Sequence, residues 1–300
     1  MNRINFSNRF TQIAVLALLA LLWGSSFILM KRGLLAYSAE QVALYRIFIV
    51  FVVMSPNAIK NLSLLRKKTG WIYLLVGILG SAIPYFLFVK AQTEISSSLS
   101  GILNSLTPIF ALLVAVIGFQ QRFKVNSLIG IAVGFLGAFG LMYFSNEFEV
   151  NHSFTLYMLL PVIASAFYGI NINIVKNYLQ NINPLVITSM SFIIIGPISG
   201  LLLFLGTDFA HQTAYHPSAV ESLAAISVLG ILGTAIAIIL FNALVQHSSV
   251  LFASSVTYLI PIVAIGWGVL DGESFSSVQG IFAVLILVGI SLINRKRRRS

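Results

Sequence analysis

Long apolar stretches recur along this chain from Thr11 to Ile293, separated by short polar joints. Each stretch has about 20 residues, the length of helix that crosses a hydrocarbon layer of roughly 30 Å. Because 58% of the residues are hydrophobic and only 9% are charged, a single soluble globule could not bury the apolar surface. The alternating pattern of a transmembrane barrel is missing, and a lipid-exposed span must satisfy its own backbone hydrogen bonds. The sequence therefore predicts an all-α integral membrane protein.

Ten transmembrane helices fit the spacing of the apolar stretches. We expect them at residues 11–30, 40–55, 71–91, 98–119, 127–144, 154–175, 184–205, 223–245, 251–270 and 278–293. The first helix follows two basic residues, as the apolar part of a signal peptide would, but no small-x-small cleavage site ends it. We therefore interpret it as a retained helix.

Lys and Arg residues are distributed unevenly between the two ends of the predicted helices. With a cytoplasmic N-terminus, fourteen of the 18 fall in the cytoplasm, three lie outside and Arg46 lies within a span. Enrichment of basic residues on the cytoplasmic side is the usual pattern in membrane proteins. Residues 294–300 form a basic cytoplasmic tail, which favours a membrane anchor over a nucleic-acid partner. We predict a multi-pass protein of an inner or plasma membrane with both termini in the cytoplasm.

The two halves of the chain are similar in sequence. Residues Gly77–Ile83 match Gly230–Ile236 in six of seven positions at an offset of 153. At the same offset Pro108 aligns with Pro261, and an offset of 145 aligns the first helix with the sixth. These matches predict a duplication that covers all five helices of each half.

An odd number of helices in each half makes the second copy enter the membrane from the opposite side. We therefore predict two inverted five-helix repeats, at residues 11–144 and 154–293. Inverted repeats are a common basis of alternating access, because exchanging their conformations turns an inward-open cavity into an outward-open one. The repeat thus favours a transporter.

Several motifs add a family resemblance. They are Trp23-Gly24-Ser25-Ser26-Phe27, Arg46, the stretch from Ser96 to Leu106-Thr107-Pro108-Ile109-Phe110, and in the second half Leu259-Ile260-Pro261 and Gly272-Glu273. With these motifs the chain resembles the EamA family of the drug/metabolite transporter superfamily over nearly its full length. It departs at Gln120-Gln121, where the family often has Gly-Glu. The resemblance implies two inverted five-helix bundles around a central cavity for amino acids, metabolites or drugs.

The candidate cavity residues are polar, aromatic or helix-breaking side chains placed within the spans. They are Trp23, Ser26, Arg46, Tyr85, Lys90, Asn104, Thr107, Pro108, Tyr168, Asn171, Asn242, Thr257, Tyr258 and Pro261. We expect the cavity between helices 1, 3, 4, 6, 8 and 9, with the two prolines on related walls. Each candidate also has a structural alternative, namely a kink, an interhelical hydrogen bond or simple packing.

Two of these candidates carry charge. Ionisable groups within a span are costly and normally face a partner or a water-filled path. The structural alternative for Arg46, which we favour slightly, is extension to the interface or pairing with an outer acid such as Glu94, and Lys90 could extend to the interface. If either side chain faces the cavity, it favours substrates with a carboxylate or another anionic group.

The sequence predicts a secondary transporter of small organic solutes that works by alternating access, with export as one possible direction. The alternative is a non-transporting or lipid-handling membrane protein of the same fold. An enzyme is disfavoured, since the four histidines lack metal-ligand spacing, and we expect no cofactor or metal. No carboxylate lies at mid-depth of a predicted span, so proton coupling, exchange and facilitated diffusion stay open.

Overall fold

A computed structural model of the protein describes residues 6, 8–121, 125–144, 152–272 and 277–294. All regular secondary structure in these ranges is helical. Glu273 and the basic tail at 295–300 lie outside the described residues, as do Glu147, Glu149 and several of the basic residues used to orient the chain.

Ten long helices account for most of the described chain. They are α1 (Arg9–Gly33), α2 (Ala39–Lys60), α3 (Gly70–Ala91), α4 (Ser97–Ile117), α5 (Val125–Tyr143), α6 (His152–Tyr178), α7 (Pro184–Gly206), α8 (Ala219–His247), α9 (Val250–Leu270) and α10 (Ser277–Asn294). Among the described residues, eight helices are long and apolar enough to cross a membrane, and α5 and α10 contain shorter apolar segments. Each predicted helix coincides with one of the ten to within several residues.

Helix α2 runs beyond its predicted end at residue 55 and contains Pro56. Proline lacks an N–H, so a helix normally loses the hydrogen bond to the carbonyl four residues earlier. Here the Ser55 hydroxyl donates to that carbonyl, on Val52, at 2.9 Å. The hydroxyl replaces the missing donor and allows the helix to continue to Lys60.

The segment between α7 and α8 also differs from the expected loop at 206–222. It contains a short helix, Phe209–Tyr215, and α8 begins at Ala219 rather than at residue 223. Phe209 stacks on the Tyr37 ring at a centroid distance of 4.9 Å, so the connection packs against the start of α2.

Helices α4 and α9 are each interrupted in their first half. The first is split after Asn104 and resumes at Thr107, and the second is split at Ser255. Pro108 lies in the first turn of the second segment of α4, where no N–H is needed. The Asn104 carbonyl accepts a 2.8 Å hydrogen bond from the Thr107 hydroxyl. The carbonyl freed by the proline is therefore satisfied locally, without a ligand.

Within the described residues, two π-helical segments lie at matching positions of the two halves. They are Ile78–Ala82 in α3 and Ile231–Ile236 in α8, inside the two segments that are identical in six of seven residues. The Thr234 hydroxyl donates to the Leu229 carbonyl at 3.0 Å, across five residues. Such wide turns are rare and occur frequently at functional sites.

Each π-helical segment packs closely against the other half of the chain. A methyl group built on Gly80 would lie 2.5 Å from the Asn171 amide nitrogen of α6. One built on Gly233 would lie 2.7 Å from the Ser26 hydroxyl of α1. Gly80 and Gly233 are related by the offset of 153, and Ser26 and Asn171 by the offset of 145. The contacts are therefore reciprocal.

A second pair of close contacts is related by the same two offsets. Gly24 of α1 approaches Val263 of α9, and a built methyl would lie 2.5 Å from the valine Cβ. Gly169 of α6 approaches the backbone of Phe110 and Ala111 in α4 at 2.7–2.8 Å. Small residues allow this backbone approach between membrane helices, where packing drives association.

Ionic contacts gather at one end of the helices. Asp271 receives hydrogen bonds from Lys31 and Arg32 at 2.6 Å each, and Glu221 lies 3.7 Å from Arg32. We refer to these four residues as the Asp271 cluster. The hydrogen bond from Lys31, followed by the charges of Lys31 and Arg32, holds the pKa of the Asp271 carboxyl below its usual range.

We expect Gly169→Ala to destabilise the folded protein by about 1–3 kcal/mol, because the added methyl meets backbone atoms that cannot move aside. Thermal unfolding of the purified chain in detergent measures the loss. Gly266→Ala is the matched control, since Gly266 is also inside a helix but has no atoms within 4 Å of a built methyl. There the alanine should be neutral or stabilising by about 1 kcal/mol or less. Equal effects at both positions would contradict the packing.

The Asp271 cluster should stabilise the fold in a pH-dependent way. Because the folded-state pKa of Asp271 is lowered, the contribution is complete above the unfolded pKa of about 3.9 and disappears as the pH falls through the folded value. Asp271→Asn should therefore cost about 0.2–1 kcal/mol at pH 7 and progressively less as the pH is lowered below about 4. Unfolding temperatures measured across this range test it. Glu94→Gln, at an exposed acid outside the cluster, should show no such difference.

Candidate functional site

A cavity lies between α1, α2, α3, α4, α6, α7, α8 and α9. Its empty volume is about 900 Å³, which includes space open to solvent. Ten of the fourteen predicted residues line it. They are Trp23, Ser26, Arg46, Tyr85, Asn104, Thr107, Tyr168, Asn171, Asn242 and Thr257. The structure thus brings most of the candidates from both halves of the chain into one space, whereas their role in substrate binding stays a prediction.

Four predicted residues do not line the cavity. Lys90 lies near the end of α3, where its half-exposed side chain is 4.0 Å from the Glu40 carboxylate. Tyr258 is fully buried, and its ring lies against Gly134 of α5. Pro108 and Pro261 remain within their helices, one turn or less from the lining residues Thr107 and Thr257. The prolines shape the helices that carry lining side chains.

Arg46 enters the cavity from α2 and is only 5% exposed. Its Nε donates to the Thr234 hydroxyl at 2.7 Å, and its guanidinium carbon lies 3.8 Å from the centroid of the Tyr85 ring. Both partners are uncharged, and among the described residues Arg46 has no ion pair. The slightly favoured alternative, extension to the interface or pairing with an outer acid such as Glu94, is therefore wrong. The π-helical segment of α8 supplies the hydroxyl that holds the cation instead.

The amides of α6 have distinct surroundings. Asn171 lines the cavity, and its buried Oδ1 has no hydrogen-bond partner among the described residues. Asn173 points to α4, where its Nδ2 donates to the Ala111 carbonyl at 2.9 Å. Residues two positions apart face different sides of a helix, so this division agrees with their spacing. Asn171 therefore lines the cavity, but its Oδ1 is a buried acceptor without a partner in the described chain rather than an atom exposed in the cavity.

Aromatic side chains form the apolar walls, and they too are arranged reciprocally. Trp23 of α1 meets Phe241 of α8 edge to face at a centroid distance of 4.9 Å. Tyr168 of α6 stacks on Phe88 of α3 at 5.9 Å. The Trp23 indole N–H also donates to the Gly233 carbonyl at 3.0 Å, within the second π-helical segment. These contacts fix flat apolar surfaces on two sides of the space.

Helix α7 contributes lining residues that we did not predict. Thr188, Ser191 and Phe192 face the cavity, and the Thr188 hydroxyl accepts a 3.3 Å hydrogen bond from the Asn242 amide. Ser191 occupies the position related to Arg46 by the offset of 145. Applying the repeat to Arg46 would therefore have identified this wall.

The π-helical segment of α3 was also missed as part of the lining. Gly80 and Ser81 both face the cavity, and both belong to the repeated segment Gly77–Ile83. The repeat of this segment was visible in the sequence, but it was interpreted only as evidence of duplication. Among the described lining residues, Arg46 is the one Lys, Arg, Asp or Glu.

Comparison with known proteins places these features in a family. A profile of EamA, described as the EamA-like transporter family, matches residues 11–143 and 155–295. An uncharacterized transporter of Archaeoglobus fulgidus is 25% identical over 291 residues, which cover 94% of this chain and 98% of that protein. The uncharacterized transporter YdfC of Bacillus subtilis is 26% identical over 153 residues, or 49% of this chain and 48% of that one.

A solved crystal structure shares the fold. It superposes with a TM-score of 0.72 at 16% sequence identity, and the match covers 96% of this chain and 97% of the other. At this identity the similarity concerns the fold alone. The arrangement of helices is therefore one that has been observed in another protein.

Proposed function

Because the chain belongs to the EamA-like transporter family, we propose that this multi-pass membrane protein is a secondary transporter of small organic solutes. The observation that carries the proposal is the cavity, where polar and aromatic side chains from both halves converge within the membrane-spanning helices. Pockets of this kind, mostly apolar with a few placed polar groups, are typical of small-molecule sites.

In this proposal the chain has ten spans, arranged as two inverted five-helix repeats at residues 11–144 and 154–293. Three observations support it. Both copies have a π-helical segment at the same place, both have a serine N-cap at matching positions (Ser96 and Ser249), and the glycine contacts between the halves are reciprocal. An axis that exchanges the halves accounts for each of these pairs.

The proposed mechanism is alternating access. The Asp271 cluster joins α1 of the first half to the end of α9 in the second, and it would have to separate when the cavity opens on that side. We further propose that this end faces outward, with the N-terminus and the tail at 294–300 in the cytoplasm of a cell whose inner or plasma membrane holds the protein. Export of metabolites or drugs and exchange of solutes are both compatible with this arrangement.

Covalent locking tests the mechanism directly, and the chain lends itself to it because it contains no cysteine. We expect that Lys31→Cys with Asp271→Cys, joined by a short cleavable bifunctional thiol reagent, blocks solute exchange in liposomes. A reductant should restore the flux. Flux is measured with a panel of labelled organic acids, amino acids, amides and amines.

The matched control joins two helices of the same half at the same end of the molecule. Glu40→Cys with Lys90→Cys replaces the residues of another ion pair, between α2 and α3, and its cross-linking should leave the flux unchanged. Full flux through protein that is completely cross-linked between positions 31 and 271 would contradict alternating access. Absence of flux for every solute before cross-linking would favour a lipid-handling protein instead.

A further inference from the structure

The two walls of the cavity are related in sequence but differ in charge. Arg46 corresponds to Ser191 at the offset of 145, and at the offset of 153 its partners Thr234 and Tyr85 correspond to Ser81 and Ile238. Of these six residues, all except Thr234 line the cavity. One wall thus has a cation held by a hydroxyl and an aromatic face, whereas the related wall has only neutral groups.

Arg46 retains unused hydrogen-bonding capacity. Its Nε is occupied by Thr234, and Nη1 has one long contact, 4.0 Å, with the Met30 sulfur. Within the described chain, no protein acceptor is bound to Nη2. The two terminal nitrogens of a guanidinium match the two oxygens of a carboxylate. A buried cation without a counter-ion is costly, so an anion bound here would relieve that cost.

The remainder of the cavity suits the neutral, partly apolar portion of a bound solute. The opposite wall offers the side chains of Thr188, Ser191 and Asn242. None of the described lining residues is an acid, so an organic cation would find no counter-charge and would be repelled by Arg46.

We propose that the cavity selects organic monoanions, with the carboxylate on the guanidinium of Arg46 and the apolar body between the aromatic walls, and that it rejects organic cations. This inference rests on the proposed function and names the substrate class of the same site. Tyr85 and Thr234 act as positioning residues, since they hold the guanidinium in place from the ring face and from Nε.

A matched series of solutes tests the preference without any mutation. We expect 3-phenylpropionate to raise the unfolding temperature of the purified full-length protein saturably, 3-phenylpropionamide to bind about tenfold to a hundredfold more weakly, and phenethylamine to have no effect. The same order should appear when the three compounds compete for solute exchange in liposomes. Equal binding of the acid and the amine would overturn the inference.

Variants of Arg46 then locate the anion. Arg46→Gln should weaken 3-phenylpropionate binding about tenfold to a hundredfold while leaving the amide unaffected, and Arg46→Lys should be intermediate because it keeps the charge but loses the planar fork. Arg66→Gln, which removes an exposed arginine outside the cavity, is the matched control and should bind as the unmodified chain does. Unchanged anion binding by Arg46→Gln would overturn the assignment.

The outcome separates this inference from the proposed function. If amides or amines are exchanged and no anion is, the protein is a transporter and the inference is wrong. If no solute of any charge is bound or exchanged, both are wrong. Should Arg46→Gln fail to fold, the order of acid, amide and amine on the unmodified protein still decides.

Discussion

The cavity depends on the close approach of α1 and α6 to the two π-helical segments. At Gly233 the approach leaves a carbonyl for Trp23, and the next residue, Thr234, presents the hydroxyl that binds Arg46. In a regular α-helix the Gly233 carbonyl and the Thr234 hydroxyl would be placed differently, because each wide turn shifts the backbone donors that follow it. Glycine allows this approach, because a methyl group at either place would displace the facing side chain. Packing and polar chemistry therefore depend on the same few residues.

The positions of the long helices could be predicted because hydrophobicity over about 20 residues decides whether a segment enters a membrane, and eight of the described helices are long and apolar enough to do so. Local departures from regular helix geometry could not be predicted in this way. The end of α2 was placed before Pro56, but the Ser55 hydroxyl compensates for the missing donor and the helix continues. The π-helical segments could not be predicted either. The spacing of apolar residues does not distinguish a backbone hydrogen bond that spans five residues from one that spans four. The repeated Gly-Ile-Leu-Gly motif marked their place without indicating their geometry.

Whether a side chain lines the cavity was easier to predict for polar residues deep in a span than for residues near a helix end, and the binding role of these residues stays a prediction. Asn104 and Asn171 line the cavity, as expected for amides far from the helix ends. Lys90, near an end, reaches Glu40 instead. The α7 wall was missed because Thr188 and Ser191 resemble the hydroxyl residues that commonly bond to their own helix, and Ser191 does so with the Ile187 carbonyl. For Arg46 the sequence slightly favoured extension to the interface or an acid as its partner, whereas the structure provides a hydroxyl and an aromatic ring.

The buried guanidinium of Arg46 would also determine how the proposed carrier responds to voltage. In the proposed alternating-access mechanism, the drop in electrical potential would move from one side of Arg46 to the other when access switches. The empty carrier would then transfer up to one positive charge through the field, which corresponds to about 2.3 kcal/mol per 100 mV. With the proposed monoanion bound, the site would be neutral and would transfer no charge. The membrane potential would therefore act on the return of the empty carrier and leave the loaded step almost untouched.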